Sequence, residues 1–174
     1  MIRNKQEDQD KIIIESLEKI VVNVGVGRLS QQPNFEDKIL SQINNDLALM
    51  TGQKPKACRA RKSIAGFKIR EGATVGLKIT LRGSKMVDFF KRLIRIVLPR
   101  VRDFSGLDIK SIDKKGTLNV GLGEQFVFPE IDLEKSPLLF PLGINIVPAV
   151  KVRDEAIKIY QNLGIPFKKE ETKK

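Results

Sequence analysis

Lysine and arginine side chains are the chemical groups that stand out in this sequence. Seven of them fall within residues 54–70, and the first acidic residue after residue 54 is Glu71. These cations are Lys54, Lys56, Arg59, Arg61, Lys62, Lys68 and Arg70. Positive charge at this density binds polyanions by displacing their counterions. The stretch therefore predicts a surface for phosphate groups, and a neutral segment, residues 63–67, lies inside it.

The charge of the whole chain indicates the same kind of partner. Lys and Arg total 32 against 21 Asp and Glu, so the formal net charge is +11. Such an excess favours nucleic acid, an anionic membrane surface or an acidic protein. The apolar runs are shorter than the roughly 20 residues of a spanning helix, and the polar N-terminus is unlike a signal peptide. We therefore expect no membrane association.

Residue types used in catalysis are scarce. Histidine is absent and Cys58 is the only cysteine, which excludes a disulfide within the chain, the usual zinc sites and Ser-His or Cys-His pairs. We expect no metal, no cofactor and no enzymatic activity. An RNA-processing enzyme that uses Asp103, Asp108 and Asp113 is the alternative, but acids in surface turns explain these residues more simply. The Gly25-Val26-Gly27 segment lacks the remaining residues of a phosphate-binding glycine loop.

Two segments show the alternation of a strand that has one buried face. The apolar side of the first carries Ile20, Val22, Val24 and Val26, and its other side carries Val21, Asn23, Gly25 and Gly27. The apolar side of the second carries Val75, Leu77, Ile79 and Leu81. Its other side carries Thr74, Gly76, Lys78, Thr80 and Arg82.

Helical periodicity predicts the elements that cover the apolar faces. Residues 35–50 form one helix, with Asn34 as its N-cap and Gly52 as its stop. Residues 85–98 form another, capped by Ser84 and ended by Pro99. A third helix spans 154–163. A strand is expected over 55–62, with Cys58 half-buried, and two or three strands over 117–128 and 142–150.

These elements predict an α+β fold, a mostly antiparallel sheet with helices packed on one face. Residues 1–18 would form an arm or short helix, 19–167 a single RNA-binding domain, and 168–174 a frayed tail. The uncovered sheet face would carry small, hydrogen-bonding and basic residues, which suit an RNA backbone. A merely solvated face is the alternative. Its strands carry no stacking aromatics, so structured RNA is favoured over splayed bases.

Several motifs resemble one known family. They are KIVVNVGVG (19–27), MTGQKPKACRARKSIAGFKIREGATVGLKITLRG (50–83), RLIRIVLPRVRDFSGL (92–107), GLGEQFVFPEI (121–131) and EAIKIYQNLGIPF (155–167). Together they resemble the large-subunit ribosomal protein L5 family of bacteria and organelles. The resemblance implies an RNA-recognition-motif-like, ferredoxin-like fold. It also implies a protein that binds 5S rRNA and helps to attach it to 23S-type rRNA in the central protuberance.

The resemblance implies further partners as well. They are P-site tRNA, small-subunit protein thirteen across the subunit interface, and neighbouring central-protuberance proteins. The ribosome would be that of a bacterial cytoplasm or of an organelle. Segments 107–116 and 132–142 are candidates for the small-subunit contact. The chain departs from the family in a short connection between Gly27 and Phe35 and in an unusual segment, residues 134–143.

Three sets of site residues follow by position. The predicted 5S rRNA set is Asn23, Gly25, Gln53, Lys54, Lys78, Thr80 and Arg82. Other contacts with rRNA are assigned to Lys56, Arg59, Arg61, Lys62, Arg92 and Arg95. The predicted tRNA-contacting loop comprises Ser63, Ile64, Ala65, Gly66, Phe67, Lys68 and Arg70. Within it, Ile64 and Phe67 would either anchor the loop or pack on a ribose.

Overall fold

Five strands form the sheet of this protein. The structure, a computed structural model, describes residues 2–168, with side chains from Asp8 onward. The strands are β1 (Leu17–Gly25), β2 (Lys56–Arg59), β3 (Thr74–Leu81), β4 (Leu118–Leu122) and β5 (Leu142–Pro148). They lie in the order β2-β3-β1-β5-β4. The predicted α+β class, with a mostly antiparallel sheet and helices on one face, is confirmed.

Five α-helices accompany these strands in the described part of the chain. They are α1 (Ile2–Ser16), α2 (Leu40–Thr51), α3 (Gly83–Arg92), α4 (Leu98–Arg100) and α5 (Arg153–Asn162). A wider, π-type turn, Phe35–Ile39, leads into α2, and another, Leu93–Val97, joins α3 to α4. Helix α1 lies where an arm or short helix was predicted.

The described residues divide into two compact units. The central unit comprises Val21–Thr80 and Gly121–Gly143. The terminal unit comprises the described residues of 2–20, 81–120 and 144–168. The single domain over 19–167 stays a prediction. Of the tail that was predicted to fray, residues 169–174 lie outside the described residues.

The central unit buries the apolar faces that alternation predicted. Val22, Val24 and Val26 are buried, as are Leu77 and Ile79. The apolar stripe of the helix predicted over residues 35–50 is buried too. Its buried members are Phe35, Ile43, Leu47 and Met50. Helix α2 ends at Gly52 as predicted, because the left-handed backbone there (φ +65°) lets its N–H donate to the Ala48 carbonyl.

Segment 134–143 is tied into the central unit by two buried polar side chains. Ser136 Oγ donates to the Asp46 carboxylate and accepts from Gln42 Nε2 at 2.7 Å. Gln125 donates through Nε2 to the Leu138 carbonyl at 2.5 Å. Its Oε1 accepts from the backbone N–H of residue 140 at 3.0 Å. These bonds satisfy buried polar groups and hold the approach to β5.

The terminal unit has its own core. Its fully or nearly fully buried side chains include Ile20, Phe89, Phe90, Leu93, Val97, Ile144, Ile146 and Tyr160. The Tyr160 hydroxyl lies 2.8 Å from the Gly116 carbonyl and 2.9 Å from the Ile146 carbonyl, so its proton has a partner in either direction. Helix α1 is joined to the α3 region by an Asp10–Lys91 ion pair.

Two predicted helix caps are wrong. Asn34 adopts a left-handed conformation (φ +61°) and its side chain makes no capping bond, since the chain enters α2 through the π-type turn. Ser84 lies inside α3, because Arg82 is the residue that precedes the helix. Pro99 does not end the helix at residue 98. It is the second residue of α4, and the helical backbone continues from the π-type turn through it to Arg100.

Two predicted strands are too long. β2 ends at Arg59, where its register with β3 shifts. All four of its residues are exposed, so Cys58 is exposed rather than half-buried. The strand expected within 117–128 ends at Leu122, and the chain then forms a 3₁₀ turn over Gln125–Val127.

The buried Asp46 carboxyl makes stability depend on pH. Burial raises its pKa, although the bond from Ser136 opposes this. The folded state therefore keeps the proton to higher pH than the unfolded state, in which the pKa is about 3.9. The contribution of Asp46 to stability is greatest below that value and is lost as the pH rises through the folded-state pKa.

Replacing Asp46 by Asn should remove this pH dependence, because the amide oxygen still accepts from Ser136 but cannot ionise. The free energy of unfolding of Asp46→Asn, relative to that of the wild type, should increase between about pH 3 and pH 7. Urea unfolding across this range measures it, with the exposed Asp37→Asn as control. A difference that is constant with pH would contradict the assignment.

Candidate nucleic-acid interface

The uncovered sheet face of the central unit carries the predicted polar residues. Asn23 and Gly25 of β1 are exposed, as is Lys78 of β3, and Thr80 is partly exposed. Their neighbours in sequence, such as Val24 and Ile79, are buried. The alternation of side chains thus separates a core face from an uncovered face. The uncovered face offers the amide of Asn23, the hydroxyl of Thr80, the ammonium group of Lys78 and the bare backbone of Gly25.

Two lysines lie directly opposite each other on this face. The antiparallel register of β2 and β3 pairs Lys56 with Lys78. Side chains paired in this way have Cβ atoms roughly 4.5–5.5 Å apart, and like charges there are destabilising. Among the side chains described, those of residues 8–168, neither lysine forms an ion pair. An anion between them would replace this repulsion by attraction, so the structure groups Lys56 with Lys78.

Helix α2 and Gly52 place Gln53 beside β3. The Gln53 N–H donates to Thr51 Oγ1 at 3.3 Å, and the Gln53 Nε2 donates to the Thr80 carbonyl at 3.4 Å. Gln53 and Thr80, which are far apart in the sequence, are therefore neighbours in the structure. Lys54 follows directly and is exposed.

Two glycines of this face differ in their surroundings. A Cβ on Gly25 would meet no atom within 4 Å, so the surface above Gly25 is open to another molecule's backbone. A Cβ on Gly143 of β5 would lie 2.8 Å from Asn23 Oδ1, so Gly143 leaves the space that the Asn23 amide needs. Sequence analysis missed Gly143, although the alternating burial of residues 142–148 is visible as alternating apolar residues.

The terminal unit carries a further pair of amides that sequence analysis missed. Asn145 Nδ2 donates to Asn119 Oδ1, and Asn119 Nδ2 donates to the Ser111 carbonyl at 3.2 Å. Asn119 alternates with buried Leu118 and Val120 along β4, which is the signal that identifies its face.

The cations on and beside β2 form a basic edge. Its members are Lys54, Lys56, Arg59, Arg61 and Lys62, and all are exposed. None forms an ion pair with another described residue. Unpaired surface cations in a row along a strand edge can follow a line of phosphates.

Residues 63–70 fold into a compact hairpin loop. Ile64 and Ile69 exchange backbone hydrogen bonds of 2.9 and 3.1 Å. Ala65–Phe67 forms a 3₁₀ turn between them, and Lys68 takes a left-handed conformation (φ +51°). At the base, Ser63 Oγ accepts from the Glu71 N–H at 2.9 Å.

The tip of this loop is held from outside and presents an aromatic ring. Gln31 Nε2 donates to the Phe67 carbonyl at 2.8 Å. Phe67 is 67% exposed and Ile64 48% exposed. Ile69 has the more inward position, with its Cδ1 4.0 Å from a Cβ built on Gly27. The exposure of Ile64 and Phe67 favours packing on a ribose over anchoring of the loop.

Three predicted rRNA contacts belong to the terminal unit. Arg82 donates to the Glu18 carbonyl at 3.1 Å and pairs with its carboxylate at 3.4 Å. Lys19, and to a smaller extent Arg82, lower the pKa of the Glu18 carboxyl. Arg95 donates to Gln9 Oε1 at 3.2 Å, and Arg92 is half-buried and has a partner. These arginines are already engaged within the protein, unlike the lysines of the central face.

The aspartates considered for catalysis serve as turn residues. Asp108 Oδ1 accepts from the Lys110 N–H at 2.8 Å. Asp113 Oδ1 accepts from the N–H groups of Lys115 and Thr117, each at 2.8 Å. In the part of the chain that is described, no three His, Cys, Asp or Glu residues are grouped to hold a metal ion. No described helix combines the length and apolarity needed to cross a bilayer.

The antiparallel α+β fold and its exposed basic face define a class of proteins suited to binding structured RNA. Comparison with known proteins gives the family. The model for ribosomal protein L5 matches residues 14–70, and the model for the C-terminus of the same ribosomal family matches residues 74–167. The chain belongs to the ribosomal protein L5 family, as the motifs indicated. It is a structural protein and not an enzyme.

Individual relatives agree with the family models. The large ribosomal subunit protein uL5 of Halothermothrix orenii is 42% identical over 166 residues, which cover 95% of this chain and 90% of the relative. That of Carboxydothermus hydrogenoformans is 44% identical over 159 residues, covering 91% and 87%. That of Fusobacterium nucleatum is 46% identical over 153 residues, covering 88% and 81%.

The bond from Gln31 should determine how firmly the loop is held. In Gln31→Ala the Phe67 carbonyl loses its side-chain donor, so the backbone amides of 64–69 should exchange with solvent several-fold faster. Hydrogen exchange of the free protein measures this, with the neighbouring Gln32→Ala as control. Unchanged protection of these amides in Gln31→Ala would show that the loop's own backbone bonds are sufficient.

Proposed function

We propose that this protein binds 5S rRNA through the sheet face of its central unit and helps to attach it to 23S-type rRNA in the central protuberance. Its family and its relatives assign it to the large ribosomal subunit. The proposal concerns which RNA it contacts and with which residues. Of the residues predicted to contact 5S rRNA, those in this unit keep that assignment: Asn23, Gly25, Gln53, Lys54, Lys78 and Thr80. Arg82 belongs to the terminal unit. Lys56, predicted as a contact with other rRNA, is added to the 5S set because β2 pairs it with Lys78.

The opposed Lys56–Lys78 pair is the observation that carries this proposal. An exposed sheet face that merely meets water has no reason to place like charges opposite each other without a counterion. Here the pair shares its face with Asn23 and Thr80. Phosphate contacts would supply most of the affinity, whereas the amide and hydroxyl would read the position of sugar and base edges.

The hairpin loop at 63–70 is assigned to P-site tRNA. Gln31 and the paired backbone of Ile64 and Ile69 give the tip a defined position. The largely exposed Phe67 ring can stack or pack on a ribose, and the flanking Lys68 and Arg70 can meet phosphates. In this division, the neutral tip contacts tRNA through its shape, and the basic residues beside it contact tRNA through their charge.

Segments 107–116 and 132–142 are assigned to protein partners. In the second of them, Leu133 is 51% exposed and Leu139 is 50% exposed, and apolar groups of this size favour a protein contact. Small-subunit protein thirteen and neighbouring central-protuberance proteins are the proposed partners. The proposed location is the ribosome of a bacterial cytoplasm or of an organelle, and the relatives described above are bacterial.

A basic RNA-binding protein without preference for 5S rRNA is the alternative function. It would bind any structured RNA through the same lysines. A titration against 5S rRNA and an unrelated folded RNA of equal length distinguishes the two. Equal affinity for both RNAs would reject the specific proposal. In either case affinity should fall by orders of magnitude between about 50 and 200 mM salt.

Substitutions on the sheet face should weaken 5S rRNA binding in two distinct ways. Asn23→Ala and Thr80→Ala should each cost about 1–2 kcal/mol, because a hydrogen bond to RNA is lost. Lys78→Ala should also flatten the dependence of log affinity on log salt by about 1, because one phosphate contact is lost. Filter binding at several salt concentrations measures both effects.

The loop supplies the control for this prediction. Phe67→Ala should leave isolated 5S rRNA binding unchanged and should alter tRNA binding in assembled ribosomes. If Phe67→Ala weakens 5S rRNA binding as much as Asn23→Ala does, then the proposed division between sheet face and loop is incorrect.

A further inference from the structure

Asn23 and Gly143 lie against each other on the uncovered face of the central unit. A Cβ on Gly143 would stand 2.8 Å from Asn23 Oδ1, 3.2 Å from Nδ2 and 3.3 Å from Cγ. The oxygen and nitrogen end of the amide thus lies against the glycine. By contrast, a Cβ on the neighbouring strand's Gly25, or on Gly121 and Gly123, would meet nothing within 4 Å. Of these four glycines, Gly143 is the one at which a predicted RNA-contacting residue, Asn23, fills the space that a side chain would take.

The backbone at Gly143 has little freedom to move away. β5 lies between β1 and β4 in the sheet, so it is paired on both sides. The segment that leads into it is held by Gln125, through the bonds to residues 138 and 140, and by Ser136, through Asp46. A methyl group at residue 143 would therefore displace the short Asn23 side chain rather than the strand.

We propose that Gly143 is a positioning residue for RNA recognition and acts through Asn23. By leaving this space empty, it lets the Asn23 amide lie against β5 in one orientation, from which it can contact RNA. The inference rests on the proposed function, in which Asn23 contacts 5S rRNA. This positioning role also explains segment 134–143, which is unusual in sequence, because the segment places Gly143 on the sheet face.

A double-mutant cycle tests this role. The wild type, Asn23→Ala, Gly143→Ala and the double variant are titrated with 5S rRNA. We expect Asn23→Ala and Gly143→Ala each to lower affinity about tenfold. The double variant should bind no more weakly than Asn23→Ala alone, since both changes remove the same contact. Gly123→Ala, at an open glycine, is the matched control and should bind like the wild type.

A second readout needs no RNA. The NMR signals of the Asn23 side-chain amide should shift in Gly143→Ala and stay in place in Gly123→Ala. Folding of each variant is checked by thermal unfolding, and the double variant relieves the clash, so it should unfold like Asn23→Ala. A purely structural role for Gly143 would lower unfolding temperature in both Gly143 variants.

The outcomes separate this inference from the proposed function. If Asn23→Ala binds 5S rRNA like the wild type, the proposed function of the sheet face fails, and the positioning role fails with it. Suppose that Asn23→Ala weakens binding and that adding Gly143→Ala lowers the affinity by a further, independent factor. Then only the positioning role is overturned. Wild-type affinity of Gly143→Ala, or an unmoved Asn23 amide signal, overturns it equally.

Discussion

Every feature of the central unit depends on the alternation of side chains along β1 and β3. A strand that buries Val22, Val24 and Val26 must turn the residues between them to the other side. A shift of one residue in β3 would exchange its two faces and bury Lys78, and the same shift in β1 would bury Asn23. The hydrophobic core therefore determines the RNA-facing surface: the energy that keeps the apolar face out of water also holds Asn23 and Thr80 in place.

The polar face is positioned mostly by contacts that no pattern within one strand can reveal. Gln53 reaches Thr80 because Gly52 ends α2 with a left-handed residue next to β3. Asn23 has room against β5 because Gly143, 120 positions later in the chain, has no side chain. Lys56 faces Lys78 because of the register between two strands. Each contact joins residues distant in sequence, so the face exists only in the folded protein.

This distinction explains what the sequence could predict. The faces of β1 and β3 and the stop at Gly52 follow from local periodicity and local backbone geometry, and these predictions are confirmed. The predicted caps at Asn34 and Ser84 are wrong because tertiary packing determines where these helices begin. The chain enters α2 through a π-type turn, and Arg82 precedes α3. β2 was predicted too long because its end is set by a register shift against β3. Gly143 escaped notice for the same reason, since its partner is on another strand.

The accessibility of lysines to an acylating reagent tests the central claim most directly, because it reports which face of the central unit the RNA covers. Lys56 and Lys78 lie on the uncovered face, whereas the exposed Lys38 lies on the turn that leads into α2. Acylation of the free protein and of its complex with 5S rRNA is compared by mass spectrometry. Lys56 and Lys78 should become protected in the complex, while Lys38 should react equally in both. Protection of Lys38 with full reactivity of Lys56 and Lys78 would contradict it.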